Sequence, residues 1–156
     1  MKVEYVNPFI ESAVAVLQEI AGLKSERRKL QLKDPDSPFR DVDAILGVIG
    51  RVHGQVIYGF DEPTAKNVVS RMMMGAEILE FDEMARSALG ELGNIITGKA
   101  SIALESAGYP IEISPPTLVM AENVRISSLK IPMIVVPLET ECGLIDIYVG
   151  LEETPD

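Results

Sequence analysis

Residues 82–108 carry the most regular hydrophobic pattern of the chain, and apolar side chains recur there every three or four positions. This is the period of a helix that packs one side against a core. Asp82 is suited to the N-cap and Gly108 to the C-cap, with Pro110 just beyond. The pattern predicts one long helix with a buried side made of Ala85, Leu89, Leu92, Ile96, Ala100 and Ala103.

Two further stretches have a helical period. The first is predicted to begin with Asn7 as N-cap and Pro8 in the first turn, and to end at Gly22. The second begins at residues 61–63, where Asp61 or Glu62 precedes a proline, and ends at Gly75. The buried side of the first helix is predicted to comprise Phe9, Ile10, Ala13, Val14, Leu17, Ile20 and Ala21.

The remaining apolar runs are short and bounded by turn residues, which is typical of strands. Residues 42–49 and 55–60 predict a hairpin, while residues 25–32 do not alternate cleanly. Pro132 and Pro137 indicate a sheet edge or bulge for one strand after the long helix. After that helix come residues 111–114, a turn at Pro115 and Pro116, and residues 117–120, and the predicted strands are residues 122–128, 131–138 and 142–151. Together the elements predict one α+β domain over residues 1–156, with a mostly antiparallel sheet covered by long helices.

The first helix can be aligned with the long helix without gaps. Residues 11–20 then lie over residues 86–95, with identical Ser, Ala, Leu and Ile positions, and similar strands follow each helix. This indicates two related halves, each a helix followed by strands; the alternative is a chance agreement between two amphipathic helices. In this alignment Val16 and Glu19 lie opposite Glu91 and Asn94, so the first helix lacks the polar pair of the second.

Composition excludes several classes of function. The formal net charge of −10 argues against a nucleic-acid-binding protein and against docking on an anionic membrane. The amino-terminal residues form no signal-like apolar run, and no stretch reaches transmembrane length, so a cytoplasmic protein is expected. Cys142 and His53 are the only residues of their types, so neither a disulfide within the chain nor a histidine metal site is predicted.

A polar stripe runs along the long helix opposite its apolar side. Glu91 and Asn94 are three residues apart, so their side chains leave neighbouring turns in the same direction. Gly90 and Gly93 each cost about 1 kcal/mol relative to alanine inside a helix, and one reason to retain them is to let another surface come close. The stripe comprises Ser87, Glu91, Asn94, Gly98, Ser101 and Glu105. Its spacing alone is equally compatible with an ordinary solvated face.

The order Ser87, three residues, Glu91, two residues, Asn94 resembles the signature of the CheC/CheX/FliY phosphatases of bacterial chemotaxis. Pro116 supplies the proline of that pattern, one residue nearer than its strictest form. The resemblance extends over nearly the whole chain and includes residues 7–9, 59–62 and 114–117. CheC-like members can carry the Glu–Asn pair on both helices, whereas CheX-like members carry it on the second, so the chain most resembles CheX and a CheC-like fold is expected.

The resemblance implies a phosphatase that acts on the aspartyl phosphate of a CheY-type response regulator. It assigns Asn94 to orient the attacking water and Glu91 to pair with a lysine of the regulator, with Ser87, Gly90 and Gly98 contacting the partner. It further implies that Mg²⁺ belongs to the regulator, that the chain has no cofactor of its own, and that it forms a homodimer through strands. Because the regulator's phosphorylation pocket is also acidic, favourable contacts must be local.

Two other readings of the same residues remain open. The long helix could dock on a response regulator or a flagellar switch protein without hydrolysis. The chain could also be a structural adaptor with a decayed site or a small-ligand-binding domain, which burial of both sides of the long helix would favour.

Overall fold

The computed structural model describes residues 2–123, 125 and 130–156. Within these residues the chain forms three helices and eight strands. The helices are α1 (Val3–Ala21), α2 (Glu62–Met72) and α3 (Glu83–Ser106). The strands are β1 (Ser25–Arg27), β2 (Gln31–Leu32), β3 (Val42–Gly50), β4 (Val52–Phe60), β5 (Ile111–Ile113), β6 (Thr117–Met120), β7 (Ile134–Thr140) and β8 (Gly143–Glu153).

The strands form one sheet in the order β1-β7-β8-β4-β3-β5, with β2 also paired to β7 and β6 to β3. All pairings are antiparallel, and the helices pack on one face of the sheet. The predicted α+β fold is therefore confirmed. The order is also symmetric about the β4–β8 pair, because each half contributes a helix, two short strands and a hairpin.

The two halves exchange their short strands. The first half supplies β1 and β2, yet both pair with β7 of the second half. The second half supplies β5 and β6, and both pair with β3 of the first half. Neither half can therefore complete its part of the sheet alone, and the residues beneath the helices form one shared core.

The predicted edge position of the strand after the long helix is wrong. Both β7 and β8 are inner strands, since β7 lies between β8 and the short strands β1 and β2. The carbonyl of Pro137 accepts a hydrogen bond from the Arg28 amide at 2.8 Å. Because the amide and carbonyl of a strand residue point to the same side, the missing N–H of Pro137 faces the interruption between β1 and β2.

The first helix begins earlier than predicted. It starts at Val3 with Lys2 at the N-cap, so Asn7 is not the cap and Pro8 lies inside the helix. Pro8 removes one intrahelical hydrogen bond, but extending the helix buries Tyr5 and Val6, which are 2% and 0% exposed. Burial of apolar surface favours the longer helix.

The long helix begins and ends close to the predicted positions. Asp82 Oδ1 accepts a hydrogen bond from the Ala85 amide at 2.9 Å, which confirms the N-cap. At the other end Gly108 has a φ of +95°, and the amide of Tyr109 donates to the Leu104 carbonyl at 2.8 Å. This is the hydrogen-bond pattern of a Schellman motif, with the glycine one residue beyond the Ala107 C-cap. Leu104 is buried in place of the predicted Ala103, which is exposed.

Several strand predictions need smaller corrections. The hairpin is confirmed, but its strands extend to a turn at Arg51. Residues 25–32 form two short strands rather than one. Of the predicted strand at residues 122–128, Glu122 and Asn123 lie in a turn, and residues 124 and 126–128 lie outside the described residues.

Candidate active site

Four of the five predicted site residues lie along the solvent-facing side of α3, whereas Gly90 is buried. Ser87 and Glu91 are exposed, and Asn94 and Gly98 are half-buried. The opposite side of the helix is buried against the sheet and α1. Only one of the two sides of α3 is therefore covered by the described residues. This exposure does not favour the reading as a structural adaptor, and it leaves the polar stripe open to an external surface.

The side chains of Glu91 and Asn94 make no hydrogen bond or salt bridge to other residues in the part of the chain that the structure describes. The side-chain hydrogen bonds of α3 instead involve Arg86, Thr97, Lys99 and Ser101, together with its N-cap residue. A carboxylate and an amide that protrude at the same side of a helix without internal partners retain their full capacity to bind a water or another protein.

The backbone at Asn94 is fixed by its two buried neighbours, Gly93 and Thr97. The Thr97 hydroxyl is 2.7 Å from the hydroxyl of the buried Tyr58 and 2.7 Å from the Gly93 carbonyl oxygen, to which it donates. Burial raises the pKa of Tyr58, so the phenol stays protonated. The turn that carries Asn94 is therefore held against β4 by a buried polar contact.

The glycines of α3 have three different surroundings. A Cβ on Gly93 would lie 3.3 Å from the Tyr58 ring and 3.4 Å from Leu46, so this glycine permits close packing on the chain's own sheet. The expectation that it clears space for a partner is therefore wrong. A Cβ on Gly90 would lie 3.1 Å from Leu118, whereas a Cβ on Gly98 would meet nothing within 4 Å. Partner contact at Gly90 and Gly98 stays a prediction.

The first helix carries a Glu–Asn pair that the sequence comparison missed. Glu4 and Asn7 are three residues apart on α1, and like Glu91 and Asn94 the glutamate is exposed and the asparagine half-buried. The statement that the first helix lacks the pair is therefore wrong. The three-residue spacing of Glu4 and Asn7 is visible in the sequence. It does not indicate a pair on one helix face as long as Asn7 is taken for the N-cap, because Glu4 then lies outside the helix.

Burial shows that the helices must be aligned differently. The earlier alignment placed exposed Gln18 over buried Gly93 and exposed Glu19 over half-buried Asn94. An alignment of Glu4 with Glu91 matches burial at more positions, although buried Ser12 and Val16 lie over exposed Lys99 and Ala103 in it, and it is the alignment that fits the symmetric sheet. The buried pairs it brings together are Phe9 with Ile96, Ile10 with Thr97, Ala13 with Ala100, and Leu17 with Leu104.

Unlike the pair on α3, the pair on α1 has contacts within the chain. The carboxylate of Glu4 accepts a hydrogen bond from the Tyr109 hydroxyl at 3.1 Å and lies 3.7 Å from the Lys2 ammonium. The Oδ1 atom of Asn7 accepts one from Arg27 at 3.5 Å. Both residues are thus connected to segments that follow the two long helices.

A large cleft lies on the other face of the sheet. It has a volume of about 1040 Å³ and is lined in part by Arg40, whose guanidinium donates to Asp146 at 2.7 Å and Asp61 at 2.9 Å. Nearby Asp43 is fully buried, and among the described residues neither of its carboxylate oxygens has a hydrogen-bond partner. Burial raises the pKa of Asp43 to about 7. This cleft is separated from α3 by the sheet.

Other chemically reactive groups do not assemble into a second site in the described part of the chain. Cys142 lies in the turn between β7 and β8, and partial burial raises the pKa of its thiol, which disfavours the nucleophilic thiolate. His53 pairs with Glu152 at 3.2 Å. Residues 2–123, 125 and 130–156 contain no cluster of metal-binding side chains, and none of their helices combines the length and apolarity needed to span a bilayer.

Comparison with known proteins agrees with this geometry. The sequence profile described as "Chemotaxis phosphatase CheX" matches residues 42–139, a range that includes all of α3 but not α1. The chain is 34% identical over 137 residues to the CheY-P phosphatase CheX of Thermotoga maritima, which covers 85% of this chain and 88% of the relative.

Solved structures give the same result. The chemotaxis protein CheX of Desulfovibrio desulfuricans superposes with a TM-score of 0.86 at 29% identity, covering 96% of this chain and 99% of that one. The CheX chain solved in a CheX-CheY-BeF₃-Mg²⁺ complex from Borrelia burgdorferi superposes with a TM-score of 0.80 at 28% identity, covering 97% and 100%. The profile match over more than half of the chain and the similarity to the Thermotoga relative show that this chain belongs to the CheX family of chemotaxis phosphatases.

Proposed function

We propose that this chain accelerates hydrolysis of the aspartyl phosphate of a CheY-type response regulator. The observation that carries the proposal is the Glu91–Asn94 pair on a helix fixed to the sheet: Glu91 is exposed, Asn94 is half-buried, and neither side chain has a hydrogen bond within the described chain. The relative from Thermotoga maritima is a CheY-P phosphatase, and the Borrelia burgdorferi relative was solved in complex with CheY. The activity of the first relative and the complex of the second are consistent with a surface on α3 that binds a CheY-type regulator.

Asn94 orients the water in this mechanism. An aspartyl phosphate is already reactive, so hydrolysis requires a water held in line with the phosphorus atom. The side-chain amide of asparagine offers a donor and an acceptor, and it can position water without exchanging a proton. The water oxygen bonds to phosphorus as the bond from phosphorus to the aspartate oxygen breaks. Inorganic phosphate and the free carboxylate of the regulator are the products.

Glu91 acts as an anchor rather than a base. It is one helical turn from Asn94, and its carboxylate pairs with a lysine beside the regulator's phosphorylation site, giving a charge-assisted hydrogen bond. This contact sets the position of Asn94 relative to the phosphoryl group. Mg²⁺ is expected on the regulator, where it would neutralise phosphoryl oxygens, and α3 supplies the water-positioning amide and the anchoring carboxylate.

The test is to add the purified protein to a phosphorylated CheY-type regulator and to follow loss of the phosphoryl group. Acceleration over the regulator's own hydrolysis supports the proposal. A protein that binds the phosphorylated regulator without accelerating hydrolysis would instead be a binding module. Absence of both binding and acceleration with several CheY-type regulators would remove the proposal.

We also propose that the chain forms a homodimer through strands, as the resemblance to CheX implies. Pairing of two copies along β7 is not available, because β7 is an inner strand. An edge strand does offer apolar surface, since Leu32 on β2 is 72% exposed, and an uncovered edge is open to pairing. Light scattering at micromolar concentration should give a dimer mass, and Leu32→Lys should shift it toward the monomer.

A further inference from the structure

A cleft of about 430 Å³ adjoins the proposed site. It lies between the first two turns of α3 and the segment that joins β5 to β6 and begins β6. One wall contains Ser87 and Glu91, so whatever enters the cleft lies beside the proposed anchor. The full lining is Glu83, Arg86, Ser87, Gly90, Glu91, Pro116 and Leu118.

Among the residues that the structure describes, Arg86 is the only basic one that lines this cleft. It is half-buried, and its Nη1 atom donates to the Phe81 carbonyl oxygen at 3.1 Å. Among the described residues no carboxylate lies within salt-bridge distance of it, whereas the other cation of α3, Lys99, lies 3.5 Å from Glu19. Within the described residues the positive charge of Arg86 is therefore not neutralised by an internal carboxylate, as is also the case for Arg27.

The guanidinium keeps most of its binding capacity. Arginine has five N–H donors in a planar arrangement that fits a carboxylate or a phosphate, and the contact to Phe81 involves one nitrogen atom. The same contact holds the side chain near the start of α3. A partly ordered guanidinium loses less conformational entropy when it binds an anion.

The position of Arg86 favours a carboxylate over the phosphoryl group. Arg86 precedes Asn94 by more than two helical turns, which is a rise of about 12 Å along the helix. Asn94 does not line the cleft, so an anion at Arg86 lies away from the phosphorus atom that the Asn94-bound water attacks. The anion is then a side chain of the regulator next to its phosphorylation site.

We propose that this cleft is a docking subsite for the regulator, in which Arg86 binds a carboxylate on the segment beside the phosphorylation site. The inference rests on the function proposed above and extends it to a second contact of the same partner. It also gives two acidic proteins a local attraction where their net charges repel. Arg86 is thus a positioning residue, and the chemistry stays with Asn94.

The experiment compares the steady-state kinetics of Arg86→Gln with the wild type on a phosphorylated CheY-type regulator. We expect KM to rise about tenfold with kcat unchanged, because a contact made equally in the ground and transition states is lost. Arg86→Lys should recover part of the loss. Wild-type KM should rise with added salt, and the KM of Arg86→Gln should rise less.

The matched control is Arg51→Gln, which makes the same charge change in the turn between β3 and β4, where Arg51 pairs with Asp156 at 3.2 Å. This variant should keep wild-type kinetics. Gly90→Ala gives an independent test, because its Cβ would lie 3.1 Å from Leu118 and 3.4 Å from Pro116 and would narrow the cleft. It should raise KM without unfolding the protein.

Other outcomes would show whether the carboxylate contact, the subsite or the proposed function is wrong. A fall in kcat with unchanged KM for Arg86→Gln would place Arg86 at the phosphoryl group and overturn the carboxylate contact. Wild-type KM in both Arg86→Gln and Gly90→Ala would remove the subsite. Should Arg86→Gln fail to fold by circular dichroism, the Gly90→Ala result decides. A wild-type protein without phosphatase activity would instead refute the proposed function itself.

Discussion

The chain carries the same polar pair at the same depth on two helices, but it uses the two pairs differently. On α1, Glu4 and Asn7 are connected to Tyr109, Lys2 and Arg27 of the same chain. On α3 the corresponding pair has no such contacts within the described residues. Equal spacing and exposure therefore do not make equal sites, because the segments that follow each helix decide whether the pair is available.

The residues next to the two Glu–Asn pairs also differ in size, being larger on α1 than on α3. In the alignment of Glu4 with Glu91, Gly90 and Gly98 of α3 have Val3 and Glu11 as their counterparts. Val3 is 53% exposed beside Glu4, whereas Gly90 leaves a cleft beside Glu91. The first helix thus presents bulk where the second leaves room, which disfavours close approach of a partner to α1.

The largest expected effect separates the two asparagines. Asn94→Ala should lower the rate of regulator dephosphorylation on the order of 100-fold, because the water is no longer oriented. Asn7→Ala should keep about the wild-type rate. Binding of the regulator and the circular dichroism spectrum should be unchanged in both variants. A wild-type rate in Asn94→Ala, or an equal loss in Asn7→Ala, would contradict the distinction between the pairs.

A smaller effect separates the two glutamates. Glu91→Ala should raise KM about tenfold and lower activity, because it removes one charge-assisted hydrogen bond to the regulator. Glu4→Ala should leave the kinetics unchanged and lower the free energy of unfolding by about 0.5 kcal/mol, as is usual for exposed contacts. Kinetics and urea titrations of both variants make the comparison, and equal kinetics for the two would refute it.

The hydrogen bonds of Glu4 and Asn7 to Tyr109 and Arg27 can be removed to test whether they alone keep the α1 pair inactive. In an Asn94→Ala background, Tyr109→Phe and Arg27→Gln would remove the hydrogen bonds to Glu4 and Asn7 and leave Glu4 its exposed contact with Lys2 at 3.7 Å. We expect no recovery of phosphatase activity, because the exposed valine at position 3 still blocks close approach. Recovery of activity in this triple variant, and its loss again on Asn7→Ala, would show that the internal contacts are the main difference between the helices.

The smallest effect is a pH response confined to α1. Glu153 accepts hydrogen bonds from Tyr5 at 2.8 Å and Lys2 at 3.3 Å, and these bonds lower its pKa from the ordinary 4.5. Burial raises the pKa of Tyr5 from 10.0 to about 12. The Glu153 contribution to stability is therefore present above pH 4.5 and is lost as pH falls below it. The Tyr5 contribution is present below pH 10 and is lost between pH 10 and about 12.

Hydrogen exchange can detect this difference. After correction for intrinsic rates, amides in the first two turns of α1 should exchange faster at pH 3.5 than at pH 6. Amides near Asn94 should show a smaller change, because Tyr58 and Thr97 hold that turn through neutral hydroxyl groups. Loosening of both helices to the same extent would indicate a global acid transition instead.

The sequence determined the elements whose signals are local. The period of α3, its Asp82 cap and the β3–β4 hairpin follow from neighbouring residues, because helix and strand patterns depend on which side of one element is buried. The Glu91–Asn94 spacing, the CheC-like fold and the family were also accessible from the sequence. These features survive in the structure with end positions shifted by a few residues.

Tertiary structure decided the features that depend on distant segments. Tyr5 and Val6 extend α1 past Pro8 because the core can bury them, and that extension brings Glu4 and Asn7 onto a helix. The exchange of short strands places β7 inside the sheet, although its prolines suggest an edge. The contacts that occupy one Glu–Asn pair come from β1 and the end of α3. No local pattern encodes them, because residues far apart in the chain meet only after the two halves have combined.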